Sequence, residues 1–135
     1  MGLAKQYRSL EPYLRSILRI VAGLNFLTHG VQKSLGLLGG MGGAPSPLDS
    51  LMGVAGVIET IGAPLLILGL FTRPVAFILA GQMAVAYFHT HLPRDWFPLL
   101  NGGEITVTYC FLFLWLAAAG PGPWSLDRLY RKVTS

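Results

Sequence analysis

The 135-residue chain is 53 % hydrophobic and only 12 % charged, and its formal net charge is +4. A soluble domain carries about twice that share of charged residues, so this composition argues against an ordinary water-soluble fold. The single cysteine, Cys110, excludes an internal disulfide or a Cys-x-x-Cys redox pair and is expected to act as packing.

The apolar residues are bunched into long runs, and the mean hydropathy is +0.56. Four runs approach the roughly 20 residues that a bilayer core requires. The first covers about 14–35 and contains "ILRIVAGLNFLTHGV". The second, 51–70, has Glu59 as its only charge. The third, about 74–92, reads "PVAFILAGQMAVAYFHTHL", and the fourth, about 103–120, contains "ITVTYCFLFLWLAAAG". The expected fold is all-α: one domain over 1–135, forming a four-helix transmembrane bundle. No signal peptide is expected, because the segment before the first run is polar and no small-residue cleavage motif follows a short apolar core.

Orientation follows from the basic residues. With the N-terminus inside, the inner segments hold Lys5, Arg8, Arg15, Arg19, Arg73, Arg128, Arg131 and Lys132, and the outer ones only Lys33 and Arg94. This positive-inside bias predicts that both the N- and C-termini are cytoplasmic. It also accounts for the net charge without nucleic acid as a partner, and no basic–aromatic stripe suggests one.

Between runs one and two, "GLLGGMGGAPSPLDS" is too rich in Gly and Pro for helix and is expected to be an outer loop folding over the bundle mouth. Runs two and three are joined by "FTRP", so they are expected to be antiparallel neighbours, with Pro74 in the first turn of the third helix. Pro93 is expected to end that helix. Ala76, Ala80 and Ala84, with Gly81 beside them, form a small-residue ladder suited to close helix approach or to oligomer contacts. After run four, Ser125 is expected to cap a short basic segment, with Trp124 and Tyr130 at headgroup level.

Glu59 is the residue that most needs explaining. An acid at a helix centre costs about 2.5 to 3.5 kcal/mol on insertion scales, while the apolar residues around it return roughly 3 to 6 kcal/mol, so the span still inserts. The carboxylate must then face the interior and find a partner. Pro64 is expected to distort the helix beside it. Counting from the outer end, Glu59 lies about 12 Å deep and His29 roughly 6 to 9 Å deep. His29 and Lys33 are four residues apart, hence on one helical face. His89, His91, Asn101 and Glu104 also fall near the outer ends of their runs. All of these groups are therefore expected to converge on one outward-facing polar pocket.

Blander roles compete at each position. His29 and Lys33 would snorkel, Asn101 and Glu104 in "NGGE" would form a helix capping box, and Glu59 would fix helix register. His89 and His91 are about 200° apart on a helix, so at most one is expected inside. A metal or haem would draw on the same His and Glu residues, but no Glu-x-x-His spacing supports one, and none is expected.

"GLNFLTHGVQKSLG", "GVIETIGAPLLILGLFTRP", "NGGEITVTYCFLFLWL" and "GPGPWSLDRL", in that order, resemble the DoxX family of small bacterial membrane proteins. The likeness extends over about residues 15–128 and implies a four-helix, multi-pass protein of the bacterial inner membrane. It also implies a link to membrane oxidoreductases, because the family is similar to a small subunit of a thiosulfate:quinone oxidoreductase. The positions inside the matched motifs are His29, Lys33, Glu59, Asn101 and Glu104.

The expected function is therefore a quinone-linked oxidoreductase subunit, with quinone as a non-covalent cofactor. In that reading Glu59 and His29 are catalytic, and Lys33, Asn101, Glu104 and His89 bind the headgroup. The chain supplies no electron carrier, so a partner protein is expected, or a homo-oligomer within the lipid bilayer. The alternative is a non-enzymatic membrane anchor or assembly module for a partner complex.

Overall fold

The computed structural model describes residues 2–134, together with the side chains of all of these except residues 41 and 132–134. Six α-helices and no strand occur among the described residues. They are α1 Leu3–Leu35, α2 Leu51–Leu68, α3 Thr72–Ala86, α4 Pro98–Asn101, α5 Glu104–Ala119 and α6 Leu126–Thr134. A short 3-10 turn, Met41–Gly43, lies in the first connection, and a π-helical turn, Tyr87–His91, continues α3.

α1 packs along α2, α2 against α3, and α3 along α5. Aromatic contacts then close the circuit, with Phe26 of α1 packed edge-on against Tyr109 and Phe113 of α5. The core between these four long helices is made of Phe26, Leu66, Leu79, Phe113 and Leu116, with small residues between them. Ala76 and Ala80 are buried in it, whereas a Cβ added to the exposed Gly81 would meet nothing within 4 Å. Ala76 and Ala80 therefore serve packing within the chain.

Glycine sets the closeness of α1 and α2. A Cβ on Gly30 would lie 2.7 Å from the backbone nitrogen of Thr60 and 2.8 Å from its hydroxyl. A Cβ on Gly56 would meet Lys33 Cβ and Ser34 Oγ at 2.8 Å. The two backbones nearly touch because neither position carries a side chain, the usual device for helix contact in an apolar solvent. The Ser34 and Thr60 hydroxyls are 3.1 Å apart across this seam.

The polarity of the protein is inverted for water. Arg19, Ser16, Thr72, Glu59 and Asn101 are buried, while Phe77, Ile78, Phe88, Ile105 and Phe111 are exposed. Such an apolar exterior suits lipid, and buried ionisable groups are what a lipid-facing bundle turns inward. Among the described residues α2 alone is long and apolar enough by itself to cross a membrane, with mean hydropathy 2.0, and only 33 % of its most apolar window is buried. α5 is apolar but shorter.

Several expected details differ. α1 begins at Leu3, well before the apolar run, because helix-forming polar residues extend it ahead of that run. α2 continues through Pro64 to Leu68 as one helix. α3 gives way at Tyr87 to the π turn, which ends at His91 just before Pro93. The connection between α1 and α2 folds back on α1: Ser46 N–H donates to the Lys33 carbonyl at 2.8 Å, and Gly40 packs onto the Gln32 side chain. Ser50 caps α2 through the Gly53 N–H at 3.0 Å.

The opposite end is tied by side chains to helix termini. Arg19 is fully buried and donates to the carbonyls of Leu66 (2.5 Å), Ile67 (2.9 Å), Pro121 (3.0 Å) and Trp124. Arg15 reaches the Ala119 carbonyl, and Arg73 those of Ala117 and Ala118. Guanidinium charge thus meets the carbonyl ends of α2 and α5, where the helix dipoles favour a cation. Asp127 supplies the converse, accepting from Phe71 N–H at 2.8 Å and Thr72 N–H at 2.9 Å at the start of α3.

Candidate functional site

The residues singled out from the sequence occupy three separate polar clusters rather than one pocket. In the first, Glu59 of α2 is 1 % exposed and its Oε1 lies 2.6 Å from Lys33 Nζ of α1. Gln82 of α3 donates to the same oxygen at 2.5 Å. Glu59 Oε2 and Gln82 Oε1 are buried with no hydrogen-bond partner among the described residues. Three helices therefore meet on one carboxylate, and the pair is a charge-assisted contact in a low-dielectric interior.

The second cluster lines an open groove of about 680 Å³ between α1 and α5. His29, Asn25 and Thr28 contribute from α1, and Glu104, Thr108 and Tyr109 from α5. Asn25 Nδ2 donates to the Tyr109 hydroxyl at 3.1 Å, and His29 stands edge-on to Phe26 with ring centroids 6.2 Å apart. His29 and Glu104 are both exposed. Apolar side chains of Leu18, Val21 and Leu112 continue the groove below the polar group. An imidazole, a carboxylate, an amide and a phenol thus face outward from the side of the helix packing, above an apolar floor.

The third cluster knits the π turn to α4 and α5. Asn101 is 2 % exposed, donating to the Asp95 carbonyl at 2.9 Å and the Tyr87 hydroxyl at 3.3 Å. Its Oδ1 accepts from Gly103 N–H at 2.8 Å. The expected capping box is therefore absent: Asn101 ends α4, and Gly103 precedes Glu104, which starts α5. His91 Nδ1 donates to the Asn101 carbonyl at 3.1 Å, leaving Nε2 to accept from the Thr106 hydroxyl at 3.3 Å.

His89 is exposed, and the structure places it with none of these groups. The inward histidine is His91, because the π turn changes the rotation per residue just where the two diverge. The expected convergence fails for a similar reason. Lys33 turns to α2 and His29 to α5, because α1 sits between both and four residues still leave about 40° between side chains. Among the described residues, no three His, Cys, Asp or Glu side chains are grouped to hold a metal ion.

Three residues that matter here escaped the sequence reading. Gln82 was the one amide inside the third apolar run, at a depth opposite Glu59 in an antiparallel neighbour, and that signal was available. Tyr109 was visible only as one aromatic among many. Arg19 counted as an inside charge, and nothing in its spacing announces four carbonyl partners.

The family model described as DoxX matches residues 14–92. An "Uncharacterized protein" of Haemophilus influenzae is 42 % identical over 139 residues, covering 98 % of this chain and 99 % of that protein. The "Inner membrane protein YphA" of Escherichia coli is 33 % identical over 132 residues, covering 90 % and 94 % respectively. No solved structure gives a significant match.

Proposed function

The chain belongs to the DoxX family of membrane proteins, and from that premise we propose that it is a quinone-linked oxidoreductase subunit whose headgroup site is the groove between α1 and α5. In this reading α1, α2, α3 and α5 form a four-helix transmembrane bundle in the bacterial inner membrane, with both termini cytoplasmic. The positive-inside bias, the apolar exterior and the likeness to an inner membrane protein of Escherichia coli support that arrangement.

The observation that carries the functional reading is the chemistry of that groove. A quinone needs hydrogen bonds to two carbonyl oxygens, a proton donor for the reduced oxygens and an apolar path for its tail. His29, Asn25 and Tyr109 offer donors, Glu104 offers a proton-exchanging carboxyl, and Leu18, Val21 and Leu112 offer the apolar path. The groove is open on its side, so a lipid-dissolved ligand reaches it without crossing water. Electrons would come from a partner protein, since one cysteine cannot form a redox couple within the chain.

The roles of the other residues shift accordingly. Glu59, Lys33 and Gln82 form an interior lock between α1, α2 and α3, and Asn101 holds the α4–α5 corner. Titrating the protein in nanodiscs with a short-chain benzoquinone should raise its thermal stability. His29→Ala and Glu104→Gln should abolish that rise while leaving the ligand-free stability unchanged. A rise that persists in both variants would overturn the assignment.

A second reading draws on the Lys33–Glu59 pair itself. Its burial is what a packing device requires, and a non-enzymatic anchor for a partner complex would need nothing more. Under that reading Glu59→Gln loses assembly, and no groove variant changes any activity.

A further inference from the structure

A second groove, of about 570 Å³, lies at the end of the helices where α1 begins and α2 turns into α3. It opens between that turn and α6. Leu70, Phe71 and Pro74 give it an apolar side, and Arg73 and Arg131 give it a basic one. Asp127 is its one acid, but both carboxylate oxygens are taken by the Phe71 and Thr72 N–H groups. The acid is thus turned to the start of α3, and two arginines against one carboxylate leave the groove net positive.

The two arginines are differently held. Arg73 Nη1 is fixed on the carbonyls of Ala117 and Ala118, which aims the guanidinium plane while Nε and Nη2 make no hydrogen bond among the described residues. Arg131 is exposed one turn along α6 from Arg128 and forms no ion pair among the described residues. Two large exposed aromatic side chains line the groove beside them, Phe71 at 62 % and Tyr130 at 65 %. Phe71 is held outward by a left-handed backbone, φ 51, which a phenylalanine rarely adopts and which the Asp127 contacts sustain.

A cationic cleft bordered by outward aromatic and aliphatic side chains matches one place in a membrane, the boundary between phosphates and acyl chains. We propose that this groove binds the headgroup of an anionic phospholipid, with Arg73 and Arg131 on the phosphate and Phe71 and Pro74 among the upper chain carbons. The bound lipid would clamp α6 against the α2–α3 turn. This inference rests on the membrane-spanning arrangement proposed above and not on the quinone site, which lies between α1 and α5.

The test uses the full chain in nanodiscs of phosphatidylcholine, with or without phosphatidylglycerol, and native mass spectrometry to count retained lipid. The wild type should retain phosphatidylglycerol selectively. Arg131→Gln should reduce that retention roughly fivefold, the effect of about one basic group near an anionic surface. Arg128→Gln removes the same charge from the same helix but outside the groove, and should leave retention intact. Arg73→Gln should act like Arg131→Gln, and if it does not fold, the comparison of the two α6 variants decides alone. Equal losses in Arg128→Gln and Arg131→Gln would show diffuse attraction and overturn the site. So would unselective retention by the wild type, or displacement of the lipid by inorganic phosphate, which would mark a free-anion site. None of these results bears on quinone-dependent stabilisation, so the two proposals fail separately.

Discussion

Lys33 Nζ lies 2.6 Å from Glu59 Oε1, joining α1 to α2 through the interior at a carboxyl that is 1 % exposed. The contact is possible because Gly30 and Gly56 let the two backbones approach. One acid in an apolar helix is thereby explained as half of a buried pair, with Gln82 on its other side.

Removing one partner leaves the other buried without compensation. Lys33→Met should cost about 3 kcal/mol, whereas Lys33→Met with Glu59→Met should recover most of that loss. Denaturation in detergent micelles, read by circular dichroism, measures both. A double-variant loss equal to the sum of the Lys33→Met and Glu59→Met losses would show that the two side chains do not interact.

Gly30→Ala should destabilise the protein by about 1–3 kcal/mol, because the new Cβ meets Thr60 backbone and no flexible side chain can yield. Gly81→Ala meets nothing within 4 Å and should be neutral or stabilising by up to about 1 kcal/mol. Melting temperatures of the two variants should therefore move in different directions or by clearly different amounts.

Asp127→Ala removes the acceptor for two N–H groups at the start of α3, one of them on the left-handed Phe71. A loss of about 1–2 kcal/mol is expected, as for other helix caps. Hydrogen exchange should speed up at Phe71 and Thr72 first. Unchanged exchange there would place the cap's contribution elsewhere.

Arg19→Lys keeps the charge but not the planar fork that reaches two segments at once. The lysine ammonium can satisfy part of that set, so a loss of at least about 2 kcal/mol is expected from the carbonyls left without a donor. Wild-type stability in this variant would mean that charge alone holds the α2 and α5 ends.

Much of the fold was legible because apolar run length and Pro and Gly punctuation are written along one dimension. The second helix, the turn at "FTRP" and the start of α6 after Ser125 follow from such local signals. The need of Glu59 for an interior partner was legible too, and Lys33 supplies one. Rotation about each helix axis was not. His29 and Lys33 share a nominal face, yet α1 has a neighbour on either side and sends them to different ones. A π turn reversed the choice between His89 and His91, and two glycines undid the capping box at "NGGE". The single expected pocket is therefore a lock, a groove and a corner.

The groove between α1 and α5 is the element on which the functional account turns, and a photoreactive benzoquinone with a short alkyl tail tests it most directly. After irradiation in nanodiscs, label should concentrate on peptides containing residues 25–29 and 104–109, and excess unlabelled quinone should remove it. Label spread over the exposed apolar side chains of α3, such as Phe77 and Ile78, or undiminished by competitor, would contradict the account.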